Sequence, residues 1–288
     1  MLESGMVTSK SVSVICAKNI GLVSIGAIMF WLVGYNLAYG IPEGGYIGKF
    51  IPWSDASKID TGYADGSDWY FQMVFCVTTV SIVSGTMAER IKLWPFFLFA
   101  ALLAGVIYPI VMGWQWGGGW LAKAGFSDFA GSTLVHSTGG AAALAGAILI
   151  GPRLGRFTKS GAPAPLKPFA ASSIPLVTLG VFILWLGWFG FNGGSQLAIG
   201  TAPDAIAVSK IFINTLLAGA GGVMAAAAVT RLSGKTDVVQ MLNGCIGGLV
   251  AITAEPLMPS PFAAILIGAV GGIIVVYGTK TVSYTHLR

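Results

Sequence analysis

The chain has 288 residues, of which 55% are hydrophobic and 9% charged, and its mean hydropathy is +0.79. A soluble domain carries about 25% charged residues, so the composition points to a polytopic membrane protein. The formal charge of +5 is spread over scattered loop lysines and arginines with no basic patch for nucleic acid, and Cys16, Cys76 and Cys245 have no spacing that suits a disulfide framework or a zinc site.

A membrane-spanning helix needs roughly 20 mostly apolar residues. Eight stretches meet that requirement, at about 17–40, 68–87, 94–113, 131–151, 173–192, 205–230, 237–254 and 261–279. The longest connectors, 41–67 and 152–172, do not read as interdomain linkers, so the expectation is one all-α helix bundle over residues 1–281. Glycines recur inside the spans, as at Gly219, Gly221 and Gly222 or Gly268, Gly271 and Gly272, which suits close helix packing in lipid. Loop charges orient the bundle. Lys10, Lys18, Arg90, Lys92, Arg153, Arg156, Lys159, Lys167, Arg231, Lys235 and Lys280 fall on one side, against Lys49, Lys58 and Lys123 on the other. The positive-inside rule then puts residues 1–16 and 152–172 in the cytoplasm and the connectors 41–67, 114–130, 193–204 and 255–260 outside.

Within that frame the polar and aromatic residues of interest share one side of the membrane. Phe71 and Phe75 lie in the outer third of the second span, and Trp116 sits in an outer loop within residues 114–120 (WQWGGGW). Asp128 precedes a helix expected to begin near Phe129, for which it is an N-cap. His136 lies about eight residues further on, roughly 12 Å deeper at helical rise, where a titratable ring is costly unless something uses it. Phe191 and Ser195 (FNGGS) close the outer end of the fifth span.

Aromatic faces attract a small cation by about 0.5–2 kcal/mol, a serine hydroxyl accepts its hydrogen bonds, and a neutral imidazole can exchange hydrogen bonds or relay a proton. Each residue also has a plainer reading when taken singly. The phenylalanines suit packing or lipid contact, Trp116 an interfacial anchor, Ser195 a backbone-bonding hydroxyl and His136 an interhelical contact. Their shared depth favours a cation path, with Phe75, Trp116, Phe191 and Ser195 at one outer mouth and His136 below. Glu89 and Arg90 read as an anchoring pair at the cytoplasmic side. The runs Gly117–Gly119 and Gly193–Gly194 lack the lysine and strand-turn-helix context of a phosphate loop. Ser132, His136 and Ser137 have no membrane-embedded acid to complete a triad, which leaves an intramembrane hydrolase with little support.

Residues 71–92 (FQMVFCVTTVSIVSGTMAERIK), 114–140 (WQWGGGWLAKAGFSDFAGSTLVHSTGG) and 184–195 (LWLGWFGFNGGS) resemble the ammonium transporter family, the Amt proteins with their Mep and Rh relatives. The resemblance runs from about Leu2 to Lys280. It implies a fold of two inverted five-helix repeats, no enzyme activity, no cofactor and no metal. It also implies recruitment of ammonium in an outer vestibule, loss of its proton, and passage as ammonia through an apolar pore with two facing histidines. Trp116 and Ser195 then resemble the recruitment site together with Phe75, and Phe75 and Phe191 the stacked gate. His136 resembles the first pore histidine, with Phe71 beside the path, and Asp128 the structural carboxylate of the vestibule loop. The family implies a homotrimer in the cytoplasmic membrane, methylammonium as a second substrate, and a PII signal protein as a cytoplasmic partner.

Two departures from the family pattern stand out. Residues 2–10 (LESGMVTSK) resemble only the end of the first family helix, and nothing after Lys280 resembles the helix with the second histidine, so the chain reads as truncated at both ends. Residues 282–288 (VSYTHLR) break from the apolar helix before them and read as a non-native tail. An ammonium sensor or receptor on the same fold is the rival reading. An Rh-type channel fits less well, given the tryptophan and the DFAG and GWFGFN blocks.

Overall fold

The computed structural model describes residues 1–56, 64–155 and 171–284, whose regular structure is entirely helical. Lys58, Arg156, Lys159 and Lys167, which contribute to the loop-charge argument, lie outside the described residues, as do residues 285–288. Seven helices are long and apolar enough to cross a membrane: Ser9–Tyr39, Asp65–Met87, Leu93–Lys123, Ser132–Ile150, Ile174–Gly194, Ala202–Leu232 and Pro261–Thr279. The eighth expected span is present as a shorter apolar helix, Val238–Ile252. Asp237 caps its start by accepting from Gln240 N, and a turn at Thr253 ends it, so 15 residues remain helical. Exposed side chains such as Trp94, Leu98 and Leu102 line one stripe of Leu93–Leu102 and present apolar surface to lipid.

Two compact units emerge. One comprises Met1–Val12, Asp128–Ser132 and Gly151–Arg288, and the other Ser13–Ser127 and Thr133–Ile150. The first holds α1 (Leu2–Met6), α9 (Ile174–Gly194), α10 (Ala202–Leu232), α11 (Val238–Ile252) and α12 (Pro261–Tyr284). Here α10, α11 and α12 pack on one another through small residues. A methyl on Gly222 would overlap the Gly244 carbonyl, and one on Gly268 the Ala218 carbonyl, so these glycines let the backbones approach as the sequence expects. Asn214 then fastens α10 to the connector before α12, donating to Pro256 O at 2.8 Å and Pro259 O at 2.9 Å.

The second unit holds α2 (Val12–Met29), α3 (Tyr35–Tyr39), α4 (Asp65–Met87), α5 (Leu93–Leu102), α6 (Tyr108–Gln115), α7 (Trp120–Lys123) and α8 (Thr138–Ile150). Two of its helical runs are interrupted by π-helical turns, at Phe30–Gly34 and Leu103–Ile107, and a third opens on one, Ser132–Ser137. Pro109 accounts for the second. Tyr108 N bonds to Leu103 O, five residues back, and the next donor in that ladder would be the absent N–H of proline. Ala104 O is instead met by the thiol of Cys76, at 3.3 Å. Cys76 is therefore a buried donor to a carbonyl that proline cannot serve, whereas the sequence alone shows only a small apolar residue.

Lys18 also differs from its expected place. Read from sequence it is a flanking loop charge, yet it sits inside α2 at 2% exposure, donating to Ser84 O at 2.6 Å and lying 4.9 Å from the Phe96 ring centroid. The helix starts earlier than expected, and a desolvated ammonium at that position needs a carbonyl and a ring face in place of water.

Candidate functional site

In the second unit α4 carries Phe71 and Phe75 one turn apart, so both rings project from one face. Their centroids lie 4.7 Å apart at 72°, and Phe75 meets Trp116 at 5.5 Å and 81°. Phe75 is buried at 1% exposure, while Phe71 and Trp116 are half-buried. Trp116 does not sit in a free loop as the sequence reading has it. It is the C-terminal cap of α6, its N–H bonded to Met112 O at 2.9 Å, because the helix runs on past the expected end at residue 113. The glycines that follow are held by Gly118 O accepting from Gly44 N, and Trp114, still inside α6, donates its Nε1 to Tyr46 O at 2.9 Å.

His136 is half-buried at the fifth position of the π-helical turn Ser132–Ser137. The helix begins at Ser132 rather than near Phe129, so only four helical residues precede the histidine and the eight-residue descent expected from Asp128 is not realised. Helix α8 packs alongside α4 in parallel: a Cβ on Gly139 would stand 2.9 Å from Thr79 O, and one on Gly146 would meet Met87. Thr79 lies one turn beyond Phe75, and Gly139 nearly one turn beyond His136. That register sets His136 within about one helical turn of the level of Phe75.

The first unit holds the remaining candidates. Phe191 and Trp188 pack with centroids 5.6 Å apart on α9, and Ser195 caps that helix, its Oγ donating to Phe191 O at 2.9 Å. The bond uses the hydroxyl proton and leaves oxygen lone pairs able to accept from a cation. Trp188 Nε1 donates to Thr253 Oγ1 at 2.8 Å, and Thr253 Oγ1 donates to Leu249 O at 2.7 Å. The Asp128 loop lands on the same end of α11, where Phe129 N donates to Ala254 O at 2.8 Å, Ala130 N to Thr253 O at 3.1 Å and Ser132 Oγ to Val250 O at 2.9 Å. Asp128 Oδ1 accepts from Gly131 N at 3.1 Å and Ser132 N at 3.0 Å, but the helix begins three residues later than expected, so Asp128 braces the loop before it and is not its N-cap residue.

Phe71, Phe75, Trp116 and His136 thus belong to one unit, and Asp128, Phe191 and Ser195 to the other. Sequence reasoning missed Trp188 and Thr253. Trp188 lies inside GWFGFN, three residues before Phe191, which is the one signal that could have found it; Thr253 has none. Among the described residues Asp128 is the sole buried carboxylate and Lys18 the sole buried lysine, and no group of three or more His, Cys, Asp or Glu is placed to hold a metal ion. Ring faces and hydroxyl oxygens suit a cation that donates hydrogen bonds.

The model of the Ammonium Transporter Family matches residues 1–287. The chain belongs to the ammonium transporter family. It is 42% identical over 288 residues to a homologue of Synechocystis sp., sll1017, covering 97% of this chain and 64% of the homologue. It is 38% identical over 289 residues to ammonium transporter Amt2 of Archaeoglobus fulgidus, covering 96% of this chain and 60% of that protein. Among solved structures, a Sensor Amt Protein superposes with a TM-score of 0.89 at 33% identity, over 99% of this chain and 70% of the other. The chain therefore spans less than two thirds of the length of these two transporter relatives. As a family member it is a multi-pass membrane protein built on a transporter fold, and not on that of an enzyme.

Proposed function

We propose that the complete protein carries ammonium across the cytoplasmic membrane, taking up the cation at an outer aromatic site and conducting nitrogen past His136 as ammonia. The observation that carries this reading is the Phe71–Phe75–Trp116 run, three rings in successive edge-to-face contact that offer π faces to a cation as it leaves water. In this reading Trp116, Phe75 and Ser195 recruit the cation, Phe75 and Phe191 gate it, and Phe71 and His136 line the path. Asp128 shapes the vestibule loop through its two backbone bonds. A bare cation stalls where water is stripped without a counter-charge, so the proton leaves before the apolar segment.

Residues 1–281 form the transporter domain in this proposal, residues 282–288 are foreign to it, the protein works as a homotrimer, and a PII protein is its cytoplasmic partner. Methylammonium serves as a second substrate. The test is expression of the complete reading frame in a host that lacks ammonium uptake. It should restore growth on scarce ammonium and carry methylammonium into vesicles, with Trp116→Leu weakening capture and His136→Ala altering conduction or selectivity. A protein that reaches the membrane intact yet does neither refutes transport.

The similarity to a Sensor Amt Protein supports one rival, an ammonium receptor on the same fold. A receptor would bind methylammonium saturably without net uptake, so the vesicle measurement separates the two.

A further inference from the structure

Asp68 and Gln72 stand one turn apart in the first part of α4, and at 3.6 residues per turn they share a stripe with Phe71 and Phe75. Asp68 Oδ2 accepts from the Tyr35 hydroxyl at 2.6 Å, and Oδ1 accepts from Gln72 Nε2 at 3.4 Å, a bond at the long, weak end of the range. Gln72 is only 5% exposed, and its Oε1 is buried with no partner among the described residues. Oxygen and nitrogen belong to one planar amide, so that oxygen is at most one amide width further from Asp68 Oδ1 than the 3.4 Å of Nε2.

Tyr35 links the carboxylate to a circuit of rings. Its centroid is 6.0 Å from Phe30 and 6.3 Å from Trp53, while Trp69 is 5.5 Å from Trp53 and 6.4 Å from Phe30. A plainer account of Asp68 is that it offsets the dipole in the first turns of α4 and latches α3 through Tyr35. That account leaves the Gln72 oxygen unexplained, and leaving a buried acceptor without a donor is costly.

We propose that Asp68, Gln72 and Tyr35 form a binding site for a small monovalent cation that donates hydrogen bonds, ammonium or methylammonium, one helical turn before Phe71 and Phe75. It rests on the transport reading above. Ammonium points its N–H donors in tetrahedral directions, and the site offers the remaining lone pairs of the carboxylate, the Gln72 amide oxygen and aromatic faces. Potassium has the same charge but no hydrogens to give the amide oxygen, and it prefers a shell of several oxygens, so the site discriminates against it. The stripe from Asp68 to Phe75 then forms a route along one helix face, from a charge-compensated station to the aromatic run.

The test is equilibrium binding of radiolabelled methylammonium to the 288-residue chain in lipid nanodiscs, with tryptophan fluorescence as a second readout because Trp53 and Trp69 adjoin the site. Asp68→Asn removes the charge. Gln72→Met keeps the side-chain volume and leaves the Tyr35–Asp68 bond, so it answers the question if Asp68→Asn fails to fold. Each variant should weaken binding about tenfold or more, as loss of a hydrogen bond to a charged group does. One saturable component should persist in Trp116→Leu, and excess potassium should not displace it. Unchanged affinity in Gln72→Met and Asp68→Asn, with loss in Trp116→Leu, overturns the site and leaves the transport reading intact. Absence of any saturable binding by the unaltered chain also overturns the site, and the transport reading is then judged separately by vesicle uptake.

Discussion

Trp116 and Phe75 meet edge to face, centroids 5.5 Å apart at 81°, although 41 residues separate them in the chain. In a T-shaped pair the edge of one ring meets the face of the other, and a ring face turned toward a cation contributes about 0.5–2 kcal/mol. Trp116→Leu in the complete protein should therefore weaken methylammonium capture by roughly 2- to 30-fold with little change in the maximal rate. Uptake kinetics in vesicles read the two parameters separately. A fall in maximal rate with unchanged affinity would place Trp116 outside the recruitment step.

Thr253 organises the first unit around Phe191. Its hydroxyl accepts from Trp188 Nε1 and donates to Leu249 O, while its carbonyl accepts from Ala130 N. Thr253→Val keeps the shape and removes the hydroxyl, and should cost about 1–3 kcal/mol by desolvating the indole donor without return. Thr253→Ser should recover most of it. Thermal unfolding in detergent compares the series, and a double-mutant cycle with Trp188→Phe isolates the pair. A loss in Thr253→Ser with none in Thr253→Val would show that the methyl group matters and the bond does not.

Gly222 lies where a methyl would overlap the Gly244 carbonyl, whereas a methyl on Gly187 would meet nothing within 4 Å. Gly222→Ala should then separate α10 from α11 and destabilise the protein by about 1–3 kcal/mol or more, as overpacking does. Gly187→Ala should be neutral or stabilising by up to about 1 kcal/mol, since alanine is the better helix former. Melting temperatures of the two variants test the contrast. Equal effects would mean that close backbone approach is not what holds these helices.

Glu43 and Lys123 pair between two connecting segments, and the lysine holds the Glu43 carboxyl below its ordinary value of 4.5, first through the hydrogen bond and then through its charge. A carboxylate with a depressed folded-state pKa contributes its stabilisation in full above the unfolded value and loses it as pH falls through the folded one. The contact is exposed, so salt should screen it. Hydrogen exchange at Gly44, whose N–H donates to Gly118 O, should therefore gain protection lost at acid pH only when salt is low, and Glu43→Gln should abolish that pH dependence. Retention of the full pH effect in Glu43→Gln would assign it to another group.

Much of the helix map follows from one-dimensional information. Apolar length alone locates the spans from Phe71 to Ile150 and from Ile174 to Thr279, because lipid forces each crossing segment to satisfy its own backbone. Glycine content likewise foretells the close approach at Gly222 and Gly268. The sequence also marks Phe71, Phe75, Trp116 and His136 through spacing and through the family motifs they share. Boundaries that depend on contacts are a different matter. The Asp128 loop stays non-helical to Gly131 because its N–H groups find carbonyls just past the end of α11, more than 120 residues away, and no local pattern encodes such partners. Pro109 announces a helix defect, but only the fold brings Cys76 to the carbonyl that the defect leaves unserved. Lys18 reads as a loop charge until packing surrounds it with Ser84 O and Phe96. Apolar length and small residues can be read along a single helix, whereas the pairing of buried polar groups is decided where distant segments meet, since desolvation is settled by what stands opposite.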